Sequence, residues 1–155
     1  MCAILDNSVV HEVFGDRRSP AGEAFFRWIS VGGGRLIGGG RLLRELARNE
    51  NFWFWWREAV LAGLATRLGD GTVEEETTRL VEREACQSND EHVVALAVVG
   101  GARLLYSNDK KLQRDFKNRH LVNHPPGRVY STRRSGAFTR KKRELLAGSS
   151  CRIAP

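Results

Sequence analysis

Short apolar blocks separated by polar or glycine-rich breaks recur along the chain, and their spacing sorts them into strands and helices. Cys2 to Leu5 is a short apolar run of strand length that ends at Asp6-Asn7-Ser8. Val9 to Phe14 reads as a short helix. Ser19-Pro20 starts another, with Ala24, Phe25, Trp28 and Ile29 on one helical face. Arg35 to Ile37 lies between two glycine triplets and reads as a short second strand, followed by a helix carrying Leu42, Leu43, Leu46 and Ala47, with Glu45 near its start. Leu61 to Leu68 continues a helix, Gly69-Asp70-Gly71 is a turn, and Val73 to Ala85 is a charged helix with Leu80 and Val81 inward.

The segment from Ser88 to Asp109 has the most informative pattern. Ser88 followed three residues later by Glu91 is a capping-box spacing ahead of the apolar run Val93, Val94, Leu96, Ala97, Val98, which places Asp90 in the first turn of a helix. Gly100-Gly101 ends that helix, and Ala102 to Tyr106 is a strand with Asp109 just beyond it. A helix follows over Lys110 to Phe116, and His120 to Val122 reads as a last edge strand. Pro125-Pro126-Gly127 ends regular structure, although Arg140 to Leu146 has the makings of a short basic helix formed on binding. This pattern gives an α/β fold, a three-layer α/β/α sandwich with a short central parallel sheet over residues 1–124, and a basic extension over 125–155.

Composition narrows the functional classes. A chain of 155 residues is one domain, and no apolar stretch approaches the roughly 18 residues of a membrane span. A basic start followed by an apolar run is also lacking, so the expected location is cytoplasmic and no membrane partner is expected. Cys2, Cys86 and Cys151 are widely spaced and odd in number, a pattern that points to neither a disulfide framework nor a zinc site. The net charge of +7 is unevenly placed: residues 1–116 hold 15 Lys/Arg against 17 Asp/Glu, whereas 117–155 hold 10 against 1. A near-neutral body with a cationic extension points to a polyanion or an acidic protein partner, the alternative being a tail that only solubilises.

The glycine triplets invite a phosphate-loop reading, which fails. Gly40 is followed by Arg41-Leu42 where a P-loop needs Lys and Ser or Thr, and no strand of convincing length precedes the first triplet as a dinucleotide fingerprint requires. Asn51 to Trp56 carries three of the four tryptophans, more aromatic surface than one core face absorbs, and divides between core and a partner surface.

Four acids remain. Asp6 follows the first strand, Glu45 opens the helix after the second, Asp90 opens a helix, and Asp109 follows the next strand. Singly, each is accounted for as a cap, a turn residue or an exposed helix acid. In a parallel sheet, however, all four positions can face one edge, the edge where open α/β sheets place their functional crevice. Carboxylates gathered there repel one another unless a cation sits among them, and hard oxygen ligands suit Mg²⁺ or Mn²⁺. Such a centre can activate water for phosphodiester hydrolysis.

Asp6-Asn7-Ser8 after an N-terminal strand, Leu43-Arg44-Glu45-Leu46, the run Asp90 to Ala97, and Leu105 to Asp109 together resemble the PIN domain, the metal-dependent ribonuclease fold of VapC-type toxins. The resemblance spans about residues 2–122. It implies that Asp6, Glu45, Asp90 and Asp109 are the catalytic, metal-binding acids, with Ser8 and Ser107 as supporting hydrogen-bonders and Asp115 as a more distant supporting residue. His92, two residues after Asp90, is read as a packing or hydrogen-bonding histidine. The expected activity is endoribonuclease, with single-stranded DNA as a second candidate substrate, either as the toxin of a toxin–antitoxin pair or as a defence nuclease. An antitoxin or other inhibitory protein and a homodimer are the partners to look for. Lys110, Lys111 and Arg114, with Arg133, Arg134, Arg140, Lys141, Lys142 and Arg143 of the extension, are the candidate RNA contacts. The competing reading is a non-catalytic module that binds nucleic acid or a partner through the basic tail.

Overall fold

A computed structural model describes residues 2–132 and 135–148. Among these residues, five parallel strands form one sheet in the order β3-β2-β1-β4-β5. They are β1 (Cys2–Leu5), β2 (Arg35–Gly38), β3 (Ala65–Arg67), β4 (Leu104–Tyr106) and β5 (Arg128–Tyr130). The helices are α1 (Val10–Phe14), α2 (Pro20–Ser30), α3 (Gly40–Leu46), α4 (Glu50–Leu61), α5 (Asp70–Glu82), α6 (Glu91–Gly100), α7 (Lys110–Lys117) and α8 (Arg140–Ala147). Helices α1, α2, α4 and α8 pack together on one side of the sheet, and α5 packs on α6 against the other. The expected three-layer α/β/α fold is therefore the one observed.

Strand β1 is central, and its residues Ala3, Ile4 and Leu5 are fully buried. The chain leaves β1 towards β2 and later returns on its other flank as β4, so the order reverses between β1 and β4. This is the position at which a doubly wound sheet opens a crevice at its carboxyl edge. Helix α6 is buried from His92 through Ala97, all round rather than on one stripe, because it lies between α5 and α3 on one side and β1 and β2 on the other. Gly101 ends it with φ of 67°, a left-handed cap that only glycine adopts without strain. Arg103 then donates to the carbonyls of Ala97, Ala102 and Asn123, joining the end of α6 to the loop before β5, and burial lowers its pKa.

The glycine triplets have a packing role. A Cβ at Gly34 would meet the Trp28 indole at 2.4 Å, and one at Gly38 would meet Trp56 at 2.8 Å. The aromatic helix α4 divides as expected between core and surface: Phe52 and Trp56 are buried, Trp55 donates to Ser30 Oγ, and Phe54 is 73% exposed.

Several elements differ from expectation. Helix α4 stops at Leu61, and the segment read as its continuation contains β3. Asp70 is the first residue of α5 rather than part of a turn, and Val81 faces outward, 51% exposed. No strand forms at His120 to Val122, where the chain turns; the edge strand is β5, inside the segment assigned to the extension. Its Tyr130 is fully buried and donates from its hydroxyl to Ala21 O at 2.6 Å. Cys2 takes part in a disulfide, contrary to the reading of the cysteine spacing, while Cys86 is free. Among the described residues no helix is long and apolar enough to cross a membrane.

Candidate active site

Asp6 is the residue at which β1 ends, and its backbone N–H still donates to Tyr106 O of the neighbouring β4. That bond draws the ends of the two strands together. The Asp6 carboxylate is 7% exposed, and its Oδ2 accepts from Ser8 Oγ at 2.5 Å and Ser107 Oγ at 2.7 Å. Two hydroxyl donors hold a nearly buried carboxylate in one orientation. Ser107 also accepts from the Asp109 N–H at 3.0 Å. Of the two serines expected to support the acids, Ser8 holds Asp6 alone and Ser107 connects the Asp6 carboxylate to the Asp109 backbone.

Asp109 is exposed, and its Oδ1 accepts from Leu112 N at 3.0 Å as the N-cap of α7. Capping occupies one oxygen of its carboxylate. Glu45 lies in the last turn of α3, not near its start as expected; its Oε1 accepts from Arg41 Nε at 2.9 Å and its Oε2 lies 3.5 Å from His92 Nε2. His92 is 5% exposed, and this Nε2 is a buried polar atom without a hydrogen-bond partner. Its neighbour Glu45 is in ion-pair range but not placed as an acceptor.

Asp90 links the other three. It is the N-cap of α6, with non-helical φ and ψ of −111° and 42°, and its side chain makes no capping bond. The expected capping box does not form because α6 begins at Glu91, with Asp90 rather than Ser88 at the N-cap position; the Ser88 hydroxyl instead donates to the buried Asp115 at 2.6 Å. Burial raises the pKa of Asp90, and the negative charges of Asp6, Asp109 and Glu45 raise it further, against a lowering by His92. One carboxyl thus feels the charge of the other three acids. Asp90 is within electrostatic reach of the other three acids singled out from sequence.

Asp115 stands apart from this group. It is 2% exposed and accepts from Gln87 N, Ser88 N and Ser88 Oγ, so it fixes the loop that leads to Asp90 and acts on the site only through that loop. Gln113, not foreseen as a site residue, donates from Nε2 to Ser107 O at 2.7 Å. Its position four residues after Asp109, on the same face of α7, is the signal that would have identified it.

The candidate nucleic-acid contacts are dispersed. Lys110, Lys111 and Arg114 are exposed on α7, next to Asp109. Lys142 is not available as a surface cation: it is 5% exposed, and its Nζ donates to Ala137 O at 3.0 Å. Arg140 pairs with Glu144, Arg143 lies over the Phe138 ring, and Lys141 is exposed. Arg133 and Arg134 lie outside the described residues. Helix α8 is formed in the free chain rather than only on binding.

In chemistry the four carboxylates suit a hard divalent cation, and both their mutual repulsion and the orphaned His92 Nε2 are features that a bound group would relieve. In position, among the described residues, no group of three or more His, Cys, Asp or Glu side chains is disposed to hold a metal ion as it stands. A cavity of about 840 Å³ between α2 and α8, lined by Trp28, Val31, Phe138 and Leu146, contains none of the four acids. Comparison with protein-family models and with curated proteins finds no match for this chain.

Proposed function

We propose that the chain is a PIN-like, metal-dependent endoribonuclease acting in the cytoplasm, with its active site between the carboxyl ends of β1 and β4. The observation that carries this reading is the position of Asp90, whose carboxyl is pushed up in pKa by burial and by Asp6, Asp109 and Glu45 together. Unrelated acids have no reason to be coupled at one carboxyl, least of all near the point where the strand order reverses.

Asp6, Glu45, Asp90 and Asp109 would hold Mg²⁺ or Mn²⁺. When bound, such an ion lowers the pKa of a water and offsets charge on the phosphate oxygens. The chain's own part is positional. Ser8 and Ser107 fix the Asp6 carboxylate, Arg41 orients Glu45, and the Asp115-bound loop sets Asp90 at the head of α6. Lys110, Lys111 and Arg114 lie beyond Asp109, where they can meet the RNA backbone. RNA is the preferred substrate and single-stranded DNA the second. The exposed part of α4 is the docking surface for an inhibitory antitoxin or a second copy of the chain, if the nuclease is a toxin.

A second reading, a non-catalytic binding module, draws on the capping role of Asp109, which gives that acid a structural use. Cleavage assays separate the two. Purified protein with labelled single-stranded RNA, structured RNA and DNA should cut in Mn²⁺ or Mg²⁺ and stop in EDTA. Asp90→Asn should reduce cutting by roughly a hundredfold or more, as removal of a group that stabilises transition-state charge does. Metal-independent binding with no cutting under any condition would establish the module instead.

A further inference from the structure

A second cleft, of about 490 Å³, lies where α7, β5 and α8 meet at the sheet edge. Three cations line it: Lys117 from the end of α7, Arg128 from the start of β5 and Lys141 from α8. They come from segments well separated in sequence, so only the fold gathers them. Each is exposed, and among the described residues none of the three forms an ion pair. The acid that lines the cleft, Glu144, already has its charge matched by Arg140 at 2.9 Å. Gln113 and Ser131 add neutral polar groups, and no aromatic side chain lines the space.

The cleft adjoins the candidate active site through one residue. Gln113 lines the cleft and donates to Ser107 O, and Ser107 holds the Asp6 carboxylate. The acid crevice itself repels a polyanion, and the body of the chain up to residue 116 has 17 acids against 15 Lys/Arg, so a substrate needs its attraction supplied nearby. We propose that this cleft holds the backbone of a single-stranded nucleic acid whose scissile phosphate lies at the four acids, with Lys117, Arg128 and Lys141 contacting successive phosphates on one side of the cut. The inference rests on the proposed nuclease reading and adds the path of its substrate. Without stacking rings the contact is to phosphates, so it tolerates any base sequence and is strongly salt-dependent.

The test is the salt dependence of binding, read by fluorescence anisotropy with the full chain in EDTA, using single-stranded RNA and DNA of the same sequence. Each phosphate contact to a single strand contributes a slope of about 0.7 in log K against log salt. Lys117→Gln/Arg128→Gln/Lys141→Gln should therefore lower the slope by about 2 and weaken binding at low salt by about tenfold or more. A control with three exposed cations elsewhere, Arg48→Gln/Arg57→Gln/Arg83→Gln, should leave the slope within about 0.5 of the parent. If the triple variant fails to fold, Lys117→Gln/Lys141→Gln should lower the slope by about 1.4. An unchanged slope, an equal fall in the control, or equal competition by polyglutamate would overturn the proposal. RNA bound more tightly than DNA identifies the natural strand. Cutting by the parent chain with binding indifferent to the cleft would remove this path and keep the nuclease; cleft-dependent binding with no cutting in Mn²⁺ would do the reverse.

Discussion

Asp90 concentrates the physical conflict of the site. Its carboxyl is half-buried, makes no capping bond, and feels the charge of three other acids, so its ionised form is disfavoured in the folded chain. A carboxyl with a raised folded-state pKa binds protons more tightly when native, so its contribution to stability is present at low pH and is lost as pH rises through the folded pKa. Metal-free Asp90→Asn should therefore melt higher than the parent at neutral pH, by about 1–3 °C, and the difference should vanish in acid. Calorimetry in EDTA from about pH 8 to about pH 4, spanning the ordinary carboxylate range, reads this directly. A lower melting temperature for the variant at neutral pH would mean that the carboxylate is structural. The same substitution should reduce the stabilisation that Mn²⁺ gives the parent, because the repulsion that the ion relieves is smaller.

At the level of elements, the site depends on where loops hand over to helices, and α7 controls two such places. Its N-cap is Asp109, and its buried Asp115 binds the loop before α6 through two N–H groups and the Ser88 hydroxyl. Asp115→Asn exchanges one acceptor oxygen for a donor that faces donors, and should cost about 2 kcal/mol in urea unfolding. Its effect on cleavage should be smaller than that of Asp90→Asn, since the loop moves but the four acids remain. An unchanged unfolding midpoint would show that the loop is held by other contacts. These elements also explain what the sequence could reveal. Asp6, Asp90 and Asp109 were legible because each sits at a boundary that short-range patterning marks: a strand end, a helix start, a strand-to-helix turn. Glu45 was harder to place, since the preceding glycines obscure where α3 begins and its relation to His92 depends on α3 packing against α6. The strands β3 and β5 were missed for a different reason. Ala65–Arg67 and Arg128–Tyr130 are too short to show a period, and they are strands only because β2 and β4 offer open edges. Ser88 was assigned to a capping box because its spacing to Glu91 could not reveal that the helix starts two residues later, with Asp90 as N-cap, nor that the Ser88 hydroxyl binds Asp115, 27 residues away.

Across the whole molecule, the boundary drawn from composition divides what the fold joins. Residues from 125 onward are basic and poor in apolar side chains, yet β5 completes the sheet beside β4 and α8 packs against α2. The ring of Tyr130 meets Tyr106 with centroids 4.7 Å apart and Phe25 at 5.6 Å, tying the last strand to both β4 and α2. Removal of residues 125–155 would expose the edge of β4 and the face of Tyr106, and would leave the carbonyl of Ala21 without its buried donor. Each buried ring is worth about 1.5–3 kcal/mol, and the lost strand pairing adds to that, against a total stability of about 5–15 kcal/mol for a domain. A chain ending at residue 124 should therefore show no cooperative thermal transition, whereas the full chain unfolds cooperatively. Circular dichroism melts of the two decide it, and a truncated chain that melts within a few degrees of the full one would mean that the extension is separable after all. The expected outcome governs how the basic residues are to be studied: deletion would confound loss of charge with loss of fold, and only substitutions such as those at Lys117, Arg128 and Lys141 isolate the electrostatic contribution to binding.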